Sequence, residues 1–129
     1  MPHQKKILLS DDNEEFRTLL QDFLHEHGDF HVVHVKKGHE VIDAVHRHQP
    51  HLLLLDFMLS HKSGLHVLRK LRENGCNLST ILMTTVPSDK VVEEAKELDV
   101  EYVFPKPFSM HAMTERIHTI LHNSPTAKH

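Results

Sequence analysis

In His51-Leu52-Leu53-Leu54-Leu55-Asp56, four leucines run without a break into a carboxylate. A run this short, apolar at every position rather than at alternate ones, reads as a strand buried on both faces. Three more short apolar runs end in the same way. Ile7-Leu8-Leu9-Ser10 leads to Asp11 and Asp12, Ile81-Leu82-Met83 leads to Thr84, and Tyr102-Val103-Phe104-Pro105 leads to Lys106. In an open parallel sheet, ligands bind at the carboxyl ends of the strands. The acids, the hydroxyl and the ammonium delivered there suit a metal ion and a phosphoryl group.

Helical patterns fill the intervals. Phe16, Leu19, Leu20, Phe23 and Leu24 recur at helical spacing, with Gly28 as a stop. Phe30 to Val35 reads as a further strand. Gly38 opens a helix carrying Val41, Ile42 and Val45, which Pro50 ends. Leu65, Leu68 and Leu71 mark a helix running to Gly75. Ser88 reads as the N-cap of a helix with Val91, Val92, Ala95 and Leu98, and Ser109 as the cap of a last helix with Met113, Ile117, Ile120 and Leu121. This fivefold alternation predicts an α/β fold with helices on both faces of a parallel sheet and right-handed crossovers. The expected form is a flavodoxin-like, doubly wound (βα)5 sandwich with a five-stranded sheet in the order 2-1-3-4-5. Residues 1–122 are expected to form this one domain, and residues 123–129 a flexible tail or the start of a linker.

A chain of 129 residues is long enough to bury such a core. The formal net charge is −3 with no basic stripe, which speaks against direct binding of nucleic acid or an anionic membrane. No apolar run approaches membrane-spanning length, and the few apolar residues after the basic start are too short for a signal peptide. Cys76 is the only cysteine, so no internal disulfide can form; this fits a reducing compartment, and a cytoplasmic location is expected. Fifteen histidines are scattered along the chain, as in His25-Glu26-His27 and His46-Arg47-His48. They read as solvated helix faces, and they turn the net charge positive as pH falls through about 6.5.

In the order 2-1-3-4-5, the topological switch point, where the winding of the chain changes direction, falls between strands 1 and 3, and Asp11, Asp12 and Asp56 converge there. Held together, these carboxylates repel: two unit charges about 4 Å apart cost roughly 4 kcal/mol at an effective dielectric near 20. A divalent cation relieves that repulsion. An all-oxygen set without Cys or His favours Mg²⁺ or Mn²⁺. Adjacent acids after a strand also suit a helix N-terminus, and Asp12 can serve both as cap and as ligand. Lys106, between Pro105 and Pro107, can pair with one of the acids and with a phosphoryl oxygen. The Lys106-Pro107 bond is a candidate cis peptide that would aim the side chain at the pocket. Thr84 can donate its hydroxyl to a phosphoryl oxygen.

Together these residues resemble the receiver domain of bacterial two-component response regulators. The likeness runs from Lys6 to about Leu121 and rests on Ile7-Leu8-Leu9-Ser10-Asp11-Asp12, on Leu54-Leu55-Asp56 with Gly64 eight residues on, on Met83-Thr84-Thr85 and on Lys106-Pro107-Phe108. The resemblance implies that Asp56 takes a phosphoryl group from a histidine kinase or a phosphotransfer protein. It implies that Asp11, Asp12, Asp56 and the backbone carbonyl of Met58 hold Mg²⁺, with Mn²⁺ as a substitute. Thr84 and Lys106 would bind phosphoryl oxygens, and a surface of helix 4, strand 5 and helix 5 would switch, dimerise or engage an output domain or downstream protein. The chain departs from the pattern in four places. Leu59 and Ser60 stand where Met-Pro is usual, Thr85 where a small residue follows the switch threonine, and Val103 where an aromatic swings with it. A slip of one residue would make Thr85 the switch hydroxyl, and Tyr102 should point to the opposite face from Val103.

Met58 and Val86 lie two residues after Asp56 and Thr84, where a water attacking the phosphoryl group would approach. Both are apolar and cannot orient that water, which predicts slow autodephosphorylation. Two competing readings remain. A haloacid-dehalogenase-type phosphatase also uses a strand-end Asp, Mg²⁺ and a Lys. It needs a second acid two residues after its nucleophile, where this chain has Met58 or Asn13, and a cap domain for which there is no room. A phosphorylation-independent binding module on the same fold is favoured by Leu59, Ser60 and Val103. It is opposed by the intact set of Asp11, Asp12, Asp56, Thr84 and Lys106.

Overall fold

A computed structural model describes residues 4–59 and 63–122, in which strands and helices alternate through the chain. They are β1 (Lys6–Ser10), α1 (Glu14–Gly28), β2 (His31–Val35), α2 (Gly38–His48), β3 (Leu52–Asp56), α3 (Gly64–Glu73), β4 (Ser79–Thr84), α4 (Asp89–Glu97), β5 (Tyr102–Pro105) and α5 (Met110–His122). All strand pairings are parallel, in the order β2-β1-β3-β4-β5. The expected α/β sandwich is therefore the observed one. Ser60 and residues 123–129 lie outside the described residues.

The leucine run at the centre explains the two-layer cover. Alternate side chains of a strand face opposite sides of its sheet, so Leu53 and Leu55 join one apolar cluster and Leu52 and Leu54 the other. The first cluster takes Val41, Val45, Leu65, Leu68 and Val91 from α2, α3 and α4. The second takes Leu20, Leu24, Met113 and Ile117 from α1 and α5. Every residue of β3 is buried, which ties the position of Asp56 to the packing of both layers.

The helix ends differ from expectation in instructive ways. Gly28 is the last residue of α1 rather than its stop; the left-handed cap falls on Asp29, at φ 58°. Gly28 is needed for closeness instead, because a Cβ there would lie 2.6 Å from the Phe30 ring. Asn13, not Asp12, caps α1: its side chain accepts from the Phe16 N–H at 2.8 Å, which leaves the Asp12 carboxylate free. Ser88 and Ser109 do accept from backbone N–H groups in the first turns of α4 and α5. β4 begins at Ser79, two residues before its apolar run.

Candidate functional site

The carboxyl ends of β1 and β3 bring the acids together. Asp11 and Asp56 are buried and Asp12 is exposed, and one carboxylate oxygen from each lies within 4.8 Å of the others. Lys106 follows β5 and reaches across to them. Its Nζ lies 2.7 Å from Asp11 Oδ2 and 3.4 Å from Asp56 Oδ1. The same ammonium stands 4.4 Å over the Phe16 ring, which meets Phe108 edge-on at 5.9 Å. The Lys106-Pro107 bond is cis, as the sequence suggests.

The electrostatics are unbalanced. Burial, then the Asp11 charge, push the Asp56 carboxyl up to about 6; Lys106 pulls it back only in part. Burial disfavours the Lys106 ammonium, but the hydrogen bond to Asp11 and the attraction of Asp56 outweigh it, and its pKa is raised. One ammonium therefore faces a cluster of three carboxylates and pairs with two of them. The donor set fits a divalent ion: it is all oxygen, and oxygens about 2.1 Å from one Mg²⁺ would lie roughly 3–4 Å apart. That spacing is compatible with the observed cluster.

The other expected residues divide. Thr84 ends β4 and is fully buried. Its Oγ1 accepts from the Val86 N–H at 2.9 Å, and among the described residues no acceptor takes its O–H. Thr85 is exposed one residue further on. Met58 and Val86 are 59% and 50% exposed, so both apolar side chains face solvent rather than the core. Val103 packs with the α2–α4 cluster, while Tyr102 turns to the other face, 4.9 Å from Phe104 and 4.0 Å from the Arg116 guanidinium. Gly64 is required by contact: a Cβ there would lie 2.2 Å from the Asp56 carbonyl oxygen. The sequence reading overlooked Arg17. It falls on the buried side of α1, in phase with Leu20 and Leu24, a position where arginine is unusual and could have drawn notice.

Comparison with known protein families matches residues 7–118 to the response regulator receiver domain. The chain belongs to that family. Solved receiver domains share its backbone. The response regulator receiver domain protein (CheY-like) of Methanospirillum hungatei JF-1 is 19% identical with a TM-score of 0.89, over 97% of this chain and 99% of that one. The BeF3-activated N-terminal receiver domain of Klebsiella pneumoniae RstA is 28% identical with a TM-score of 0.82, over 91% and 98%. The Thermotoga maritima response regulator DrrB, an OmpR/PhoB homolog, is 22% identical with a TM-score of 0.82, over 94% of this chain but 54% of that one. Receiver domains are signalling domains of two-component systems and bind Mg²⁺ at an acidic pocket; this one carries a cluster of Asp11, Asp12 and Asp56. No described helix is long and apolar enough to cross a membrane.

Proposed function

We propose that this receiver domain is a phosphoacceptor whose nucleophile is Asp56, supplied by a histidine kinase or a phosphotransfer protein. The observation that carries the reading is the buried Asp56 carboxylate at the end of β3, clustered with two further acids and bridged to Asp11 by Lys106. With its pKa near 6 the group is mostly ionised at neutral pH and ready to attack. A phosphorus–nitrogen bond on the donor imidazole breaks as a phosphorus–oxygen bond to Asp56 forms, and the imidazole recovers a proton from solvent. Asp11, Asp12, Asp56 and the Met58 carbonyl would hold Mg²⁺, or Mn²⁺ in its place, which supplies neutralisation of charge on the transferring group. Lys106 and the unclaimed O–H of Thr84 would bind phosphoryl oxygens as they arrive.

The added charge would draw Thr84 and Lys106 inward and bias the surface of α4, β5 and α5. With Val103 in place of an aromatic and Tyr102 held by Phe104 and Arg116, the switch in this chain runs through the Thr84 turn and α4. The output partner is a downstream protein, a second copy or an attached output domain, as the greater length of DrrB illustrates for a relative. The domain turns over no substrate of its own and works in the cytoplasm. Intact mass after incubation with acetyl phosphate and Mg²⁺ tests the reading. One phosphoryl group is expected on the wild type, none on Asp56→Asn and none with chelator. No gain from acetyl phosphate or a kinase would leave a binding module that works without phosphorylation. Once phosphorylated, the Met58→Asn, Val86→Glu variant should lose its group about tenfold faster than wild type; an equal half-life would remove the role given to these two apolar side chains.

A further inference from the structure

Arg17 is 7% exposed. Apart from Asp11 and Asp56 it is the only buried ionisable side chain among the described residues, and no carboxylate there lies within salt-bridge distance of it. Burying a guanidinium without a counter-ion is costly, so its hydrogen bonds must justify its place. Nη1 donates to the Asp11 carbonyl oxygen at 2.7 Å, and Nε donates to Nδ1 of His34 at 3.2 Å. A guanidinium can only donate, which leaves the His34 ring proton on Nε2.

Those bonds complete the hold on Asp11. Its N–H donates to the Val35 carbonyl at 3.4 Å, its Oδ1 accepts from the Asn13 N–H at 2.9 Å, and its Oδ2 accepts from Lys106. Arg17 supplies the remaining contact, on the peptide group that joins Asp11 to Asp12. Rotation of that peptide would swing both carboxylates. We propose that Arg17 is a positioning residue for the acid cluster: from beneath, it clamps the peptide that aims Asp11 and Asp12 at a shared divalent cation, and His34 orients the clamp. This rests on the reading that the acids hold a cation, but not on phosphorylation.

Two effects of removing Arg17 oppose each other, which makes the test sharp. Deleting a positive charge near three carboxylates should by itself tighten cation binding; losing the clamp should weaken it. Titration of the protein with Mn²⁺, with the free ion counted by electron paramagnetic resonance, separates them. Arg17→Met is expected to weaken Mn²⁺ binding about tenfold, the scale on which supporting residues act on metal sites. Arg17→Lys, which keeps the charge and one donor, should fall between, and it carries the test if Arg17→Met does not fold. Unchanged or tighter binding in these variants overturns the proposal and leaves the phosphoacceptor reading intact. Wild-type binding that Asp56→Asn abolishes, without any phosphoryl uptake, overturns that reading and leaves this one standing. No Mn²⁺ binding by the wild type overturns both.

Discussion

At the amino end of the sheet, Arg72 donates to the carbonyls of Leu98, Cys76 and Leu78 at 2.8, 3.0 and 2.9 Å, Lys6 donates to the His48 carbonyl at 3.2 Å, and Thr80 donates to the Leu78 carbonyl at 2.9 Å. Each cation there meets backbone oxygens that the strand starts and loops leave over. At the carboxyl end, Lys106 is shared by two carboxylates, Asp56 is held above its ordinary pKa, and the buried Ser10 hydroxyl has no partner among the described residues. The same kinds of residue settle their polar groups at one end and leave them in deficit at the other. An end that is satisfied contributes stability; an end in deficit is poised to gain from added positive charge, and the fold tolerates the deficit because the leucine core lies between.

Three substitutions can break or sharpen that contrast. Arg72→Met should cost about 3 kcal/mol in urea denaturation, since it strands backbone carbonyls, and should leave Mn²⁺ affinity unchanged. A change in metal binding would show that the two ends are coupled. Asp56→Asn should stabilise the metal-free protein by about 2 kcal/mol at pH 8. The folded pKa of about 6 lies above the ordinary 3.8, so ionisation of Asp56 weighs against the folded state. The penalty is complete above about pH 6 and gone below about pH 4, so the advantage of the variant should fade as pH falls through that window. A gain equal at pH 5 and pH 8 would place its origin in packing rather than charge. Ser10→Ala should add about 1 kcal/mol by removing an unpaired hydroxyl; a loss of stability would mean that the hydroxyl has a partner in solution.

Much of the site was legible because its residues follow buried strands. Runs such as Leu52–Leu55 allow one reading, and the residue after each must emerge at the rim. Capping was less legible. Asp12 and Asn13 are both good caps, and the choice of Asn13 follows from where the β1 turn releases the chain into α1. The left-handed cap falls on Asp29 rather than on Gly28, and Gly28 is kept instead by the Phe30 ring, which leaves no room for a Cβ. Tyr102 and Val103 sort to opposite faces as strand alternation requires.

The alternation of strands and helices, the strand-end acids and the lysine that answers them can be read from the chain alone, because burial patterns and strand ends are local properties. What stands behind those acids depends on long-range packing. Arg17 and His34 are 17 residues apart and meet through the packing of α1 against the edge of β2. Asp11 and Lys106 are 95 residues apart and meet because parallel strands bring their carboxyl ends to one side. The phase of Arg17 with Leu20 and Leu24 marks it in the sequence as buried, but its partner, a backbone carbonyl, exists only once the turn after β1 has folded over it.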